Sequence, residues 1–532
     1  MVSKSSRGPG MAAGGSEAEE ALLLPEHEVG DPAGAAPGSA SVLGAVFNVS
    51  TSVVGAGIMS IPAAMRVLGV APALALIVCV ALLANVAVDF MLRYTRGTPS
   101  YAALMGGSFG RAGAKLLNAF IAFNCVGTLT VYLIIIGDVM SGPVGSGEAH
   151  AGVLPEWFGP HWWTGRDAVL VAAAVILLPL VLQKHVDRET SHVEDEHMAT
   201  WRRGPAIAQR PVTVCPRAAS FIVPPMIAFH SSADSEECTT TTNRVAMTKQ
   251  DKMVTVIFAD SLRYTSAVSI LLAAVFMLIT MGIALYTVFT GTAKMPRMLP
   301  DFSTLASPFE LFTAVPVIVV AFTFHFNVHP IRAELSKTSD MKSAVRISLV
   351  LCAAIYAAVG FFGFLLFGDA TMPDVLANFD RSSGSGVPQA LNDAARLSYA
   401  LHLVLVFPLL HYSLRVNVDE LLFPGRRPLA TDTRRFVALT AVLMAVLYAL
   451  AIAIPSIWTL FQYSGSTFAV CISLIFPGAI VLRDVHGIAK RKDKALAAMM
   501  ITLAVITSSI AIASNVMSSI KGEVKGVDAG AS

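Results

Sequence analysis

The run Phe47-Asn48-Val49-Ser50-Thr51-Ser52-Val53-Val54-Gly55-Ala56-Gly57-Ile58-Met59-Ser60-Ile61-Pro62 sets an amide, several hydroxyls and a pair of glycines in the middle of an apolar stretch. A helix facing lipid has no use for that combination. Glycine removes side-chain volume and loosens a helix, and an unwound turn would present backbone N–H and C=O groups to a ligand. The N-terminal end of a half-helix attracts a carboxylate. Close packing of neighbouring helices through small residues is the other use of the pattern.

A second polar group, Ala321-Phe322-Thr323-Phe324-His325-Phe326-Asn327-Val328-His329-Pro330, closes a later apolar run. An ionisable residue within the membrane carries a functional expectation, and histidine exchanges protons near neutral pH. His325 lies deeper than His329, so it is the candidate for substrate contact or gating; a satisfied structural histidine is the alternative. A third run holds Ser398, Tyr399, His402, Pro408 and His411, and Pro408 interrupts the helical ladder there. Asn124, Thr128 and Tyr132 share one helical face. They fit a polar path or helix–helix hydrogen bonds. Asp89 and Arg93, four apart, should pair.

These residues need a membrane scaffold. Apolar stretches at 42–62, 70–92, 115–139, 167–184, 266–289, 309–329, 345–367, 395–415, 436–456, 459–481 and 496–518 each approach bilayer length. Backbone in lipid must satisfy its own hydrogen bonds, so the fold class is all-α and polytopic, with about eleven transmembrane helices. The chain is 55% hydrophobic and 14% charged, well below the roughly 25% charge of soluble domains. Pro455 sits where the ninth and tenth stretches meet, and a tight hairpin or one re-entrant unit would both fit.

Basic residues cluster in 93–115, 330–346, 415–435 and 483–494, while Asp369, Asp374, Asp380 and Asp393 lie on the opposite side of an eleven-crossing topology. The positive-inside rule then puts the N-terminus in the cytoplasm. Membrane orientation accounts for the basic residues, so a nucleic-acid partner is not expected. The six cysteines show no metal-ligand spacing. No nucleophile, nucleotide or cofactor motif appears, and catalysis is not expected.

Residues 1–40 have the composition of a disordered tail; Glu19, Leu23 and Leu24 within it have the form of a sorting signal. Residues 41–187 hold the first four helices, 188–259 form a long polar insert read as disordered and cytoplasmic, 260–519 hold the other helices, and 520–532 form a C-terminal tail.

The segments Phe47 to Pro62, Asp260-Ser261-Leu262-Arg263-Tyr264-Thr265-Ser266, Met295-Pro296-Arg297, His325 to Pro330 and Arg415 to Phe423 together resemble the amino acid/auxin permease family. The likeness is greatest to its sodium-coupled neutral amino acid transporter branch and to the plant vacuolar amino acid transporters. The resemblance implies an inverted-repeat fold of five plus five helices and one extra, with the first and sixth spans broken at the substrate site. It places Ser52, Gly55, Ala56 and Gly57 opposite Thr323, His325 and Asn327 around an amino acid. Asn48, Thr51, Ser398 and His325 become ion-coupling candidates.

Thr51 stands where sodium-coupled relatives have asparagine, and Val404 lies near a position where they have a hydroxyl. The resemblance therefore implies secondary active amino acid transport by alternating access, coupled to protons rather than sodium. The vacuolar membrane is favoured and the plasma membrane is the other location. A sodium-coupled transporter and a membrane amino acid sensor are the alternative functions. Against the family pattern, residues 188–259 interrupt the link after Val186-Asp187. Retained non-coding sequence and a regulatory loop both explain them.

Overall fold

The computed structural model describes residues 41–95, 100–143, 151–182, 249–293, 295–302, 308–380, 388–454 and 456–530. The N-terminal tail, its sorting-type signal and the insert up to residue 248 lie outside the described residues.

Among the described residues every regular element is helical. Nine helices among the described residues are long and apolar enough to cross a membrane. These are Val70–Tyr94, Tyr101–Ser141, Thr265–Phe289, Pro308–Glu334, Thr338–Ala370, Gln389–Leu422, Thr433–Ala453, Ile457–Arg483 and Arg491–Met517. Val42–Val53 and Ala56–Leu68 are bent by 51° at a break and count as a tenth span when taken together. Arg166–Val181, an apolar helix of 16 residues, completes the order between the third and fifth spans. Spans are numbered below in chain order, first (42–68) to eleventh (491–517). The ninth and tenth are separate helices, each long and apolar enough to cross a membrane; Pro455, where they meet, lies outside the described residues.

Several boundaries differ from the sequence reading. The fifth helix begins at Lys249, so residues 249–259 of the insert are helical. The eleventh continues to Gly530, through most of the expected tail. Charged residues interrupt both extensions, Lys249, Asp251 and Lys252 in the first and Lys521, Glu523 and Lys525 in the second, and hydropathy marks the apolar length of a helix rather than its end. The third helix starts at Tyr101, with Gly110 at φ 71° and ψ −169° breaking its first part from the rest. An L side chain rarely adopts that backbone conformation, which suits glycine there.

Burial sorts the spans. The most apolar window is 83% buried in the sixth and 67% in the third and tenth, but only 22% in the eleventh. Broken and polar helices thus sit inside, and uniformly apolar ones line the outside. Exposed side chains such as Leu82, Val175, Leu271 and Val350 are the large apolar ones lipid would cover.

Ion pairs tie the helix ends together at two levels. At one, Arg93 pairs with Asp89 at 2.8 Å, as the spacing suggests, and with Asp493 at 2.9 Å. Lys342 reaches Asp89 at 2.7 Å. At the other, buried Arg396 holds Glu156 at 2.5 Å and Asp393 at 2.7 Å, and Arg297 holds Asp369 at 2.7 Å. Asp138 pairs with Arg166. Arg415, also buried, donates to Val181 O at 2.9 Å and Thr440 Oγ1 at 3.0 Å while lying 4.1 Å over the Phe436 ring.

Asp374 lies in the link between the seventh and eighth spans. Its Oδ1 accepts from the Leu376 N–H at 3.0 Å, while the buried Oδ2 has no hydrogen-bond partner. Burial, reinforced by repulsion from Asp138, pushes the carboxyl up to about 8. The fold therefore binds this proton more tightly than the unfolded chain, whose carboxyl titrates near 4. Stability from this group is full below about pH 4 and is lost as pH rises toward 8. Asp374→Asn keeps the cap and removes the titration. Thermal unfolding of purified protein should show the stability of the variant relative to wild type rising from pH 5 to pH 8, by an amount on the order of a few kcal/mol. Parallel pH profiles would overturn this account.

Candidate substrate site at the two helix breaks

Helical structure in the first span stops at Val53, and Gly55, extended at φ −144° and ψ −158°, leads into a 3₁₀ turn at Ala56–Ser60. The sixth span stops at Ala321 and resumes through a 3₁₀ turn at His325–Asn327. The two interruptions lie against each other. A Cβ on Gly57 would come within 2.8 Å of both Cα and Cβ of Ala321. Both uses foreseen for the glycines are realised: the helix is broken at Gly55, and Gly57 allows direct backbone approach.

The carbonyls freed at the first break are satisfied by other spans. Tyr399 Oη donates to Gly55 O at 2.7 Å, and His402 Nε2 faces Val54 O at 3.1 Å. Tyr356 Oη, on the seventh span, lies 2.6 Å from Val53 O and 2.9 Å from Ala321 O. Its single proton therefore serves one carbonyl from each broken helix. Ser60 Oγ donates to Pro373 O at 2.8 Å on the far side.

Between the breaks is a small cavity of about 40 Å³, lined by Ser52, Gly55, Ala56, Gly57, Thr323 and Asn327 among others. This is room for a few water molecules. Asn124, Thr128 and Tyr132 also line it, as their shared face suggested. Asn124 Oδ1 is buried and has no protein hydrogen-bond partner, which leaves an acceptor on the wall. The lining includes no charged side chain.

The other expected residues are placed as follows. Asn48 Nδ2 donates to Glu334 Oε2 at 3.1 Å, outside the cavity wall. Thr51 Oγ1 reaches Ser266 O at 3.4 Å, and Ser398 Oγ turns back to Ala395 O at 2.9 Å. Asn327 links Ser52 at 3.2 Å and Ser413 at 3.0 Å. Thr323 Oγ1 meets Ser473 Oγ at 2.9 Å, beside a π-helical turn at Cys471–Ile475. His325 is buried with neither ring nitrogen hydrogen-bonded. It packs beside Phe324, 5.1 Å between ring centroids, and is absent from the cavity wall.

On the opposite side of the first break a larger cavity, about 550 Å³, opens between the fifth, seventh and eighth helices. Arg297, Asp369, Phe379 and Asn392 are on its wall. An aromatic chain runs inward from it: Phe379 to Phe276 at 6.1 Å, then Phe276 to Tyr399 at 5.2 Å. Tyr356 and Ser473 were missed in the sequence. A tyrosine alone in the middle of 345–367 is the signal that could have marked the first; Ser473 gave none.

Known proteins place the chain further. The family model described as transmembrane amino acid transporter protein matches residues 38–187 and 229–520, leaving 188–228 between them. Amino acid transporter AVT6C of Arabidopsis thaliana is 42% identical over 499 residues, covering 93% of this chain and 97% of that protein. Amino acid transporter AVT6A of the same plant is 41% identical over 498 residues, covering 93% and 92%. The crystal structure of MhsT in complex with L-phenylalanine matches with a TM-score of 0.52 at 13% identity, covering 90% of this chain and all of that one. At that identity the likeness is one of fold.

Replacing Tyr356 by Phe keeps the ring and removes the shared proton. It should lower stability by about 1–3 kcal/mol, the cost of leaving a buried carbonyl unpaired. The reading is the thermal unfolding midpoint in detergent. An unaltered midpoint would show that the hydroxyl does not hold the breaks together.

Proposed function

The chain belongs to the transmembrane amino acid transporter family, and from that membership we propose that it is a proton-coupled transporter of neutral amino acids. The observation that carries this reading is the uncharged cavity between two facing helix breaks. An amino acid is a zwitterion with a variable side chain. Its carboxylate would sit at the start of the second half of the first span, around Ala56 and Gly57. Its ammonium would be received by Asn124 Oδ1 and break carbonyls, with Ser52, Thr128, Thr323 and Asn327 completing the polar wall. A charged substrate side chain would find no counter-charge there. His325 would act from behind this wall as a packing or gating residue.

The choice of proton over sodium rests on what already occupies the carbonyls. A sodium ion wants several oxygen ligands. Val54 O and Gly55 O instead face N–H and O–H groups of His402 and Tyr399. Val404, one turn from Ala400, supplies no side-chain oxygen, and Thr51 is held at Ser266 O.

Access would alternate between the two faces. The Asn48–Glu334 and Ser52–Asn327–Ser413 links close one side, and the Tyr399–Phe276–Phe379 aromatics close the other. With the N-terminus in the cytoplasm, the aromatic side would face a vacuolar lumen. An acidic lumen would then drive amino acids back to the cytoplasm.

Full-length protein in proteoliposomes, given labelled neutral amino acids, should accumulate them saturably under a proton gradient and not under a sodium gradient alone. Sodium-driven accumulation, or no flux from folded protein under either gradient, would overturn the proposal.

A further inference from the structure

His402 is fully buried in the eighth span, one turn beyond Tyr399. Both of its ring nitrogens face oxygen. Nε2 lies 3.1 Å from Val54 O, at the end of the first half of the broken first span. Nδ1 lies 2.7 Å from Ser269 O and 2.9 Å from Ser269 Oγ on the fifth span. A neutral imidazole has one N–H, and an imidazolium has two. With Nε2–H on Val54 O, the neutral ring needs a donor at Nδ1, and the Ser269 hydroxyl supplies it. In the protonated ring Nδ1–H donates to Ser269 O, and the hydroxyl turns away. The protonated ring thus satisfies both nitrogens, and the neutral ring is served by the hydroxyl while its Nδ1 lone pair still faces Ser269 O at 2.7 Å.

The other buried histidines lack this arrangement. Neither nitrogen of His325 or His411 has a hydrogen-bond partner, and His329 uses Nε2 alone, against Thr95 Oγ1 at 3.0 Å. A second proton on His411 or on Nδ1 of His329 would meet no acceptor in this conformation, and His325 has only the Ala84 backbone near its ring.

We propose that His402 is the proton-binding site that couples the proton gradient to the movement of the first span. This rests on the proton-coupled reading above and names the residue that carries the proton. Binding forms one bond, Nδ1–H, with a proton from water on the side of the larger cavity; release breaks that bond to water on the other side. No heavy-atom bond changes. The protonated ring clamps Val54 to Ser269 with two charge-assisted hydrogen bonds, so the break is held against the fifth and eighth spans. The neutral ring has only ordinary hydrogen bonds to hold them.

The surroundings keep this titration local. Tyr399 is 4.8 Å away between ring centroids, and Tyr132 from the third span and Tyr356 from the seventh bear on Tyr399. The first span presents the Val54 carbonyl and the fifth the Ser269 group. Asp374 is the acid that bears on the tyrosine cluster. Among the described residues no charged side chain acts directly on His402.

Two variants in proteoliposomes test this. His402→Gln retains one donor and no titration. The ratio of proton-driven accumulation to exchange of labelled for unlabelled amino acid should fall at least tenfold. An unchanged ratio would overturn the assignment. Ser269→Ala keeps the carbonyl and removes the donor to the neutral ring. The pH of half-maximal uptake should move in the alkaline direction by about half a unit to one unit, the worth of a single neutral hydrogen bond. No shift, or an acidic one, would overturn it even if His402→Gln failed to fold. Wild-type protein separates the two proposals: if it is not proton-driven, the functional reading itself fails, whereas a proton-driven wild type with insensitive variants sinks His402 alone.

Discussion

A helix opened in hydrocarbon exposes carbonyls that water cannot satisfy, and each must find a donor within the protein. The first span meets this demand three times in succession. Val53 O, Val54 O and Gly55 O take their donors from Tyr356, His402 and Tyr399. Those donors stand on two other spans, so the seventh and eighth must pass the break at its own depth. Tyr356 adds Ala321 O to its acceptors, which brings the sixth span to the same level. The break is thus a point on which four helices converge, and ion pairs at Lys342, Asp369 and Arg396 hold the ends of the seventh and eighth in place.

Much of this was legible from residue types. Polar and small residues inside long apolar runs cost too much in lipid to be idle, and they marked both breaks. The common face of Asn124, Thr128 and Tyr132 was readable because the third span is regular there, and a regular helix preserves angular phase over those two turns. The same reasoning fails at His325. Phase does not carry across a 3₁₀ turn, so spacing could not say whether its ring or that of Asn327 faced the cavity. Tyr356 was illegible for a different reason. Its role lies in carbonyls on other helices, and a backbone acceptor leaves no trace in the sequence.

The hydropathy reading also placed the apolar segments well and their ends poorly. Helix continues where the chain leaves lipid, from Lys249 into the fifth span and through to Gly530 after the eleventh. The family match resumes at residue 229, before the expected end of the insert. Apolar length reports the thickness of the surrounding medium, whereas helix length reports local backbone preference and capping.

The contact between Gly57 and Ala321 has a consequence for how this chain can diverge. A Cβ at position 57 would collide with the Cβ of Ala321, which a change to glycine could remove, but also with its Cα, which no substitution can. The clash therefore has no second-site remedy at position 321. Most positions in a packed core can drift as matched pairs, one growing while its neighbour shrinks; this one is an anchor in sequence space, released only by separating two main chains.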